Sequence, residues 1–492
     1  MNNVFALHSR SIMMPHIRPH SDGTAMPVAS SSASVSNMSS YATSARSTSS
    51  RSSRGNGEMK EFHYDVKSRK GNSFATLTLV AERLFSKHIP TVLQDKNVEG
   101  RVHLRLGSPE TIKAVTISVQ GQYLTGANPD QQVTFLDLSY TLWSQSSGKP
   151  PNSNGLHQHS LSPTGLISSS SSSKFDGKLH GDYTWPFSIP LPKDITLPYG
   201  KNNELKTFPL PQTFNERLAK GSINYEVYLR ISRGKFQPDD RASVKFGFIP
   251  ISRPPPFSPM RRLSYQENSP LLGPSADPEG WYSKGPITVA GHVGNHRLAH
   301  VACTLFLARP LCYTRGSLIP CCLRLESGDR QALDLISAPT AISVFLMRRI
   351  RYHSSHHKVG SAYAKDTIEY SQPAVWWPSH TERQEASLNH GPSWGHERAR
   401  ILNGEIHLKP DLKPTSAMLD FRIEYSVVFF PFRVAGFEPS SQDPLLEYPV
   451  EIVTSYAHGP RPRKFAPHGY EADRHAQQPL HYSFDFPSLD QP

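Results

Sequence analysis

Cysteine is scarce in this sequence, and its placement limits the chemistry that it can support. Only Cys303, Cys312, Cys321 and Cys322 occur among 492 residues, and all four lie close together. They form no Cys-x-x-Cys pair, and no suitably spaced histidine accompanies them, so a zinc site is disfavoured. A secreted fold of this size usually spreads paired cysteines along the chain, so the distribution favours a reducing compartment. We therefore predict a cytoplasmic protein without metals or other cofactors.

Long apolar runs are also missing. The longest run, Val427 to Phe432, is broken by Pro431 and falls far short of the roughly 20 residues that cross a membrane. Charged residues make up only 19% of the chain, but 53 Lys and Arg against 41 Asp and Glu give a formal net charge of +12. This balance favours acidic partners such as anionic lipids, acidic protein tails or nucleic acid.

The motifs of common enzymes are absent. The sequence contains no Gly-x-Gly-x-x-Gly, no Gly-x-x-x-x-Gly-Lys, no His-Glu-x-x-His and no Gly-x-Ser-x-Gly. We therefore expect a protein that is not an enzyme. The basic cluster from Met347 to Lys358 is unaccompanied by any DNA- or RNA-binding signature, so nucleic acid is a disfavoured partner.

Several segments alternate apolar and polar residues with a period of two. The clearest example sets Ile223, Tyr225, Val227, Leu229 and Ile231 against polar neighbours such as Glu226 and Arg230. A strand places such a set on one face, whereas a helix scatters it around its circumference. Many short strands with frequent turns and almost no helical pattern predict an all-β fold.

Composition divides the chain into two tandem immunoglobulin-like β-sandwiches with disordered termini and loop insertions. The Pro-dense stretch between them is typical of an extended linker. The predicted segments are a disordered Ser-rich tail (1–57), a first sandwich (58–252) with a loop insertion (144–174), a Pro-rich linker (253–285), a second sandwich (286–457) with a polar insertion (351–400), and a disordered tail (458–492).

Particular segments of both halves resemble the arrestin family. In the first half, the segments similar to the arrestin N-terminal domain are Val98–Leu104 (VEGRVHL), Ala114–Gly121 (AVTISVQG), Gly181–Pro192 (GDYTWPFSIPLP) and Gly221–Val227 (GSINYEV). In the second half, Tyr313–Pro320 (YTRGSLIP) resembles the start of the arrestin C-terminal domain. Trp185 and Phe187 of the third segment are interpreted as core residues rather than as a ligand site.

The chain resembles the arrestin-like (α-arrestin) proteins of fungal type. The resemblance implies an adaptor that recognises cytoplasmic tails of membrane transporters or receptors and promotes ubiquitin-linked endocytosis. It implies a cytoplasmic protein that is recruited peripherally to the plasma membrane or endosomes. A retromer-type trafficking scaffold and a nucleic-acid-associated β-sandwich protein are the alternatives.

Three candidate binding or modification sites follow. A WW-domain ubiquitin ligase is a candidate partner, but the chain lacks a Pro-Pro-x-Tyr motif, and the nearest approach is Pro254, Pro255, Pro256 and Phe257. Arg348, Arg349 and Arg351 are predicted to bind an anionic membrane surface. Ser264 follows two arginines in the linker and is predicted to be a phosphorylation site.

Overall fold

The computed structural model describes residues 59–470, with gaps at 68–70, 83–87, 126–131, 151–174, 201, 218, 220, 235–236, 295–296, 355–362 and 380–397. The predicted tail 1–57 lies outside the described residues. So do most of the predicted loop insertion 144–174 and residues 471–492 of the predicted C-terminal tail.

The first half of the described chain consists of strands joined by turns. They are β1 (Met59–Lys67), β2 (Ser73–Glu82), β3 (Thr91–Leu93), β4 (Val98–Glu110), β5 (Ile112–Leu124), β6 (Gln132–Ser144), β7 (Leu179–Ile189), β8 (Asp194–Tyr199), β9 (Glu204–Pro209), β10 (Ser222–Arg233) and β11 (Asp240–Ile249). In β10 the five predicted apolar residues are buried, and the residues between them are more exposed, which confirms the predicted face.

Two sheets of this half form a sandwich. One sheet has the strand order β1-β2-β4-β7 and the other β3-β11-β10-β5-β6, while β8 and β9 form a separate hairpin. Leu77 and Val102 of the first sheet and Val119 and Val227 of the second belong to one hydrophobic core. Hydrophobic burial between two sheets is what stabilises such an arrangement.

The Gly181–Pro192 segment supplies β7, and its aromatic residues lie in this core, as the sequence predicted. The Trp185 ring stacks on Tyr183 at 5.8 Å and on Trp143 at 6.2 Å between centroids. Phe187 pairs across the sheet with Gly100. A Cβ atom at Gly100 would lie 2.2 Å from the Thr78 carbonyl oxygen and 2.7 Å from the Phe187 ring, so only glycine fits opposite this ring.

The second half is also built from strands, with two short helices. Its elements are α1 (Pro259–Glu267), β12 (Trp281–Tyr282), β13 (Ile287–Val293), β14 (Arg297–Ala308), β15 (Cys312–Thr314), β16 (Leu318–Glu326), α2 (Arg330–Ile336), β17 (Ser343–Ser354), β18 (Tyr363–Pro378), β19 (Ala399–His407), β20 (Ser416–Met418), β21 (Phe421–Phe430), β22 (Phe437–Pro439) and β23 (Leu446–Val453).

β18 joins the two layers of the second half. Its first part pairs with β17 up to Pro373, and its last part, Ala374–Pro378, pairs with β19. Gln372, at the change of partner, has a φ of 44°, and a register shift occurs at Phe345/Leu346 opposite it. The resulting curled sheet has the order β15-β23-β21-β17-β18-β19-β16-β14-β13-β22.

Two stretches differ from the sequence-based expectation. The predicted polar insertion 351–400 contains the end of β17 and all of β18, because the first part of β18 pairs with β17 and its last part pairs with β19 despite its polar composition. The predicted extended linker 253–285 contains α1. Ser258 begins this helix by accepting a hydrogen bond from the Arg261 amide, Pro259 occupies its first turn, and Asn268 ends it in a left-handed conformation.

The buried face of β10 generates a stability prediction. Leu229 is almost completely buried, so Leu229→Ala should cost about 2–4 kcal/mol through lost burial and a residual cavity. Lys245→Ala on the neighbouring β11, where the Lys245 side chain is largely exposed, should change stability by less than about 0.5 kcal/mol. Chemical denaturation of both variants tests the register, and equal costs would contradict it.

Candidate interdomain and partner-binding sites

Aromatic side chains join the two halves of the chain. Phe421, the first residue of β21, lies 5.0 Å from Phe214 and 5.8 Å from Tyr123 between ring centroids. A Cβ atom at Gly221 would lie 3.4 Å from Phe421 and 3.5 Å from Tyr352. Gly221, just before β10, therefore lies in van der Waals range of both residues of the second half, and the buried residues of both halves form one core cluster.

A tight turn and a hairpin position Phe421. Met418 pairs with Phe421 across the turn between β20 and β21, and Leu419 in this turn adopts a φ of 52°. The hydroxyl of Tyr199, at the end of β8, donates a hydrogen bond to Asp420 Oδ1 at 3.1 Å. The β8–β9 hairpin thus holds the turn against the first sandwich.

A charged cluster lies at the same interface. Arg348 on β17 donates to both carboxylate oxygens of Glu216, at 2.9 and 2.8 Å, and to Glu369 Oε2 at 2.7 Å. Burial alone would lower the pKa of Arg348, but its hydrogen bond to Glu216 and the charges of both carboxylates raise it overall. Because Glu216 belongs to the first half of the chain, this bidentate pair connects the two sandwiches.

The predicted membrane patch is part of this paired cluster. Arg349 lies 3.9 Å from Asp366, and Arg351 lies 3.2 Å from Asp366 and 3.7 Å from Glu424. These acids come from β18 and β21, the two neighbours of β17, so sequence proximity did not reveal them. All three arginines of the predicted patch therefore have carboxylate partners, and membrane binding through them stays a prediction.

The predicted ligase motif also packs inward. Phe257 is 8% exposed, its ring lies 5.6 Å from that of Tyr265, and the Arg261 guanidinium lies 4.4 Å from its centroid. Pro254 is buried, whereas Pro255 and Pro256 are exposed. Docking in an aromatic WW groove would have to withdraw Phe257 from this contact.

Ser264 lies on the inner face of α1. It is 5% exposed, and its carbonyl oxygen accepts a hydrogen bond from the Ser269 amide. A kinase would have to displace the helix to reach its hydroxyl. The accessibility that the extended-linker interpretation assumed is absent, and phosphorylation of Ser264 stays a prediction.

The edges of the first sandwich differ in how well they could accept an added strand. β3 has three residues, β7 carries Pro186 without an amide hydrogen, and β6 has register irregularities at two places. β1 has nine residues and pairs regularly with β2 from Met59 to Val66. Arg101 on β4 donates to both oxygens of Glu61, at 2.8 and 2.7 Å, and so anchors β1 across β2. β1 is the edge best suited to receive an extended peptide.

The described residues offer no group of three or more His, Cys, Asp or Glu side chains that could hold a metal ion. All four cysteines are buried, and burial raises the pKa of the Cys303 thiol to about 12, so this thiol stays protonated at neutral pH. Neither helix within the described ranges has the length and apolarity needed to cross a membrane.

Comparison with known proteins finds a family match for most of the first sandwich. Residues 84–251 match the family described as "Arrestin (or S-antigen), N-terminal domain". The matched region is about a third of the chain and ends just after β11. No curated protein matches the chain. The match supports the arrestin-like resemblance, while its second-half component at Tyr313–Pro320 stays a prediction.

The Arg348–Glu216 pair leads to a prediction about the interface. Glu216→Gln and Arg348→Gln should each lower stability by about 1.5–3 kcal/mol, because each leaves a half-buried partner with weakened hydrogen bonds. The double variant should cost less than the sum. Calorimetric unfolding provides the measurement, with Arg324→Gln at an exposed pair with Glu326 as control. A Glu216→Gln effect no larger than that of the control would contradict the interpretation.

The anchor of β1 predicts a dependence on pH. The hydrogen bond from Arg101 lowers the pKa of Glu61 below its usual 4.5. A carboxylate whose pKa is lowered by folding stabilises the folded state above pH 4.5. This stabilisation is lost as the pH falls below that value. Glu61→Gln should therefore lower the melting temperature at neutral pH and have less effect in acid. The exposed Glu204, replaced by Gln, serves as control; a Glu61→Gln effect that does not shrink in acid would refute the linkage.

Proposed function

We propose that this chain is an arrestin-like adaptor of the fungal α-arrestin type, without enzymatic activity. It recognises cytoplasmic tails of membrane transporters or receptors and promotes their ubiquitin-linked endocytosis. The observation that carries the proposal is the match of residues 84–251 to the arrestin N-terminal domain. The curled two-layer sheet of the second half supports its interpretation as the companion arrestin C-terminal domain.

The proposed contact with a cargo tail is strand addition at β1. An extended peptide that lies along β1 would satisfy backbone hydrogen bonds on the outer side of the strand. Lys60 and Lys67 lie near the two ends of β1 and favour a peptide that carries acidic residues. Affinity then comes from the backbone, and selectivity comes from alternate side chains.

The inward position of Phe257 bears on the ubiquitin-linked step. Because Phe257 packs on Tyr265 and Arg261, the Pro254–Phe257 segment stabilises α1 and is a poor WW-domain ligand. We propose that a ligase of the endocytic pathway is recruited by another surface of the adaptor or of its cargo.

Peptide binding tests the adaptor proposal. The full chain, purified, is titrated into labelled acidic tail peptides of plasma-membrane transporters, and anisotropy reports binding. Lys60→Glu with Lys67→Glu should weaken binding at least about fivefold, since each well-placed charge contributes on the order of 1 kcal/mol. Lys245→Glu on β11 of the opposite sheet is the matched control and should bind normally.

Affinity purification from the native cell, analysed by mass spectrometry, complements the titration. Co-purified transporters or receptors would agree with the adaptor proposal. Recovery of a fixed stoichiometric complex with sorting subunits would instead identify a trafficking scaffold, and absence of any membrane protein would contradict the proposal.

A further inference from the structure

The helix α1 buries a charged residue and exposes two large apolar side chains, while Arg262, Gln266 and Glu267 are also exposed. Its buried residues are Arg261, Ser264 and Tyr265. Met260 and Leu263, by contrast, are 43% and 46% exposed. Surface helices normally bury their apolar side chains, so the exposure of Met260 and Leu263 departs from the usual pattern.

A third apolar side chain lies near this helix. Leu272 is 39% exposed, and its carbonyl oxygen accepts a hydrogen bond from Trp281 Nε1 at 2.9 Å. Leu272 and Arg261 line one cavity, which places Leu272 beside α1. Met260 and Leu263 are three residues apart and so lie on the same side of α1, and neighbouring exposed apolar side chains of this kind mark interaction surfaces.

The segment after β23 brings cations to the same place. Arg463 Nη1 donates to the side chain of Asn268, the residue that ends α1, at 3.0 Å. Two residues later, the backbone amide of Phe465 donates to the buried Glu405 carboxylate at 2.7 Å. This hydrogen bond fixes the segment against the second sandwich. Arg463 and Lys464 are therefore held beside α1, where Arg262 is also exposed.

The local charge is strongly positive. The exposed Lys, Arg, Asp and Glu residues of 253–285 and 456–470 are six cations, Arg253, Arg262, Lys284, Arg461, Arg463 and Lys464, against two acids, Glu267 and Glu279, and the half-buried Asp277 lines the same cavity as Leu272. In the part of the chain that the structure describes, no carboxylate lies within ion-pair distance of Arg262 or Lys464. This differs from Arg348, Arg349 and Arg351, which all have carboxylate partners.

We propose that Met260, Leu263 and Leu272, together with Arg262, Arg463 and Lys464, form a surface that binds an anionic lipid bilayer, here named the α1 surface. Apolar side chains that protrude from a helix and are bordered by cations match a headgroup layer over hydrocarbon. A bilayer accepts such protrusions without a preformed complementary groove, and the long cationic side chains can extend to the phosphates. The proposal does not depend on the adaptor function.

Vesicle sedimentation with the full chain tests the α1 surface. The chain should bind phosphatidylcholine vesicles that contain phosphatidylserine, bind pure phosphatidylcholine vesicles far less, and lose binding as salt shortens the Debye length. Leu263→Ser should weaken binding about tenfold, because it removes one inserted apolar side chain. Lys464→Glu should weaken binding at least about fivefold.

Matched controls distinguish binding by the α1 surface from nonspecific hydrophobic and electrostatic binding. Leu205→Ser replaces a leucine that is 76% exposed on β9, and Lys245→Glu reverses an exposed charge on β11. Both should bind vesicles as the unaltered chain does, and all four variants should keep its melting temperature because the replaced side chains are exposed.

Several results would overturn the proposal. They are equal binding to both kinds of vesicle, unchanged binding by Leu263→Ser and Lys464→Glu, or equal losses in the control variants. A dimer in sedimentation equilibrium that Leu263→Ser dissociates, without vesicle binding, would show that a second copy covers the surface. Failure of vesicle binding leaves the tail-peptide titration unaffected, so the two proposals fail separately.

Discussion

The contact of Phe421 with Phe214 and Tyr123 fixes the relation between the two sandwiches. Since the buried residues on both sides belong to one core, rotation of one sandwich against the other would expose apolar surface at about 25 cal/mol per Å². Arg348, on the neighbouring strand of the same sheet, donates to Glu216 across the same interface. The stability of the interface therefore comes mainly from apolar burial, and the bidentate charged pair helps to fix the relative orientation of the two sandwiches.

The sequence predicted the strands far better than it predicted their partners. Alternation identified the buried face of β10, since that pattern is local and has a period of two. The pairing of β17 with β18 and β21 is not local. It determines that Arg348 meets Glu369 and that Arg351 meets Asp366. The cationic run interpreted as a membrane patch therefore has carboxylate partners, because a central strand acquires them through sheet pairing, and membrane binding by this run stays a prediction.

The helix α1 was missed because the proline content of the segment was given more weight than its helix-capping residues. Proline density suggested an extended linker, yet Ser258 followed by Pro259 is a helix-start signal that the sequence does contain. The 16-residue β18 has no clear alternation of apolar and polar residues in the sequence. A strand that changes partners at Gln372 has no single buried face to produce that pattern. Neither Leu419 nor the Tyr199–Asp420 hydrogen bond, which define the interface turn, has a sequence signal, since each depends on a contact between distant segments.

The exposure of Leu263 on α1 follows from the contacts of Arg261. Its guanidinium donates to the Arg309 carbonyl oxygen and to the Tyr265 hydroxyl and lies over the Phe257 ring, so the cost of burying this charge is offset only on the inner side. Successive residues of a helix are about 100° apart, so placing Arg261 and Tyr265 inward turns Leu263 outward. The packing that stabilises the segment between the sandwiches therefore also creates the exposed apolar surface, and a bilayer partner would exploit a feature that the fold already requires.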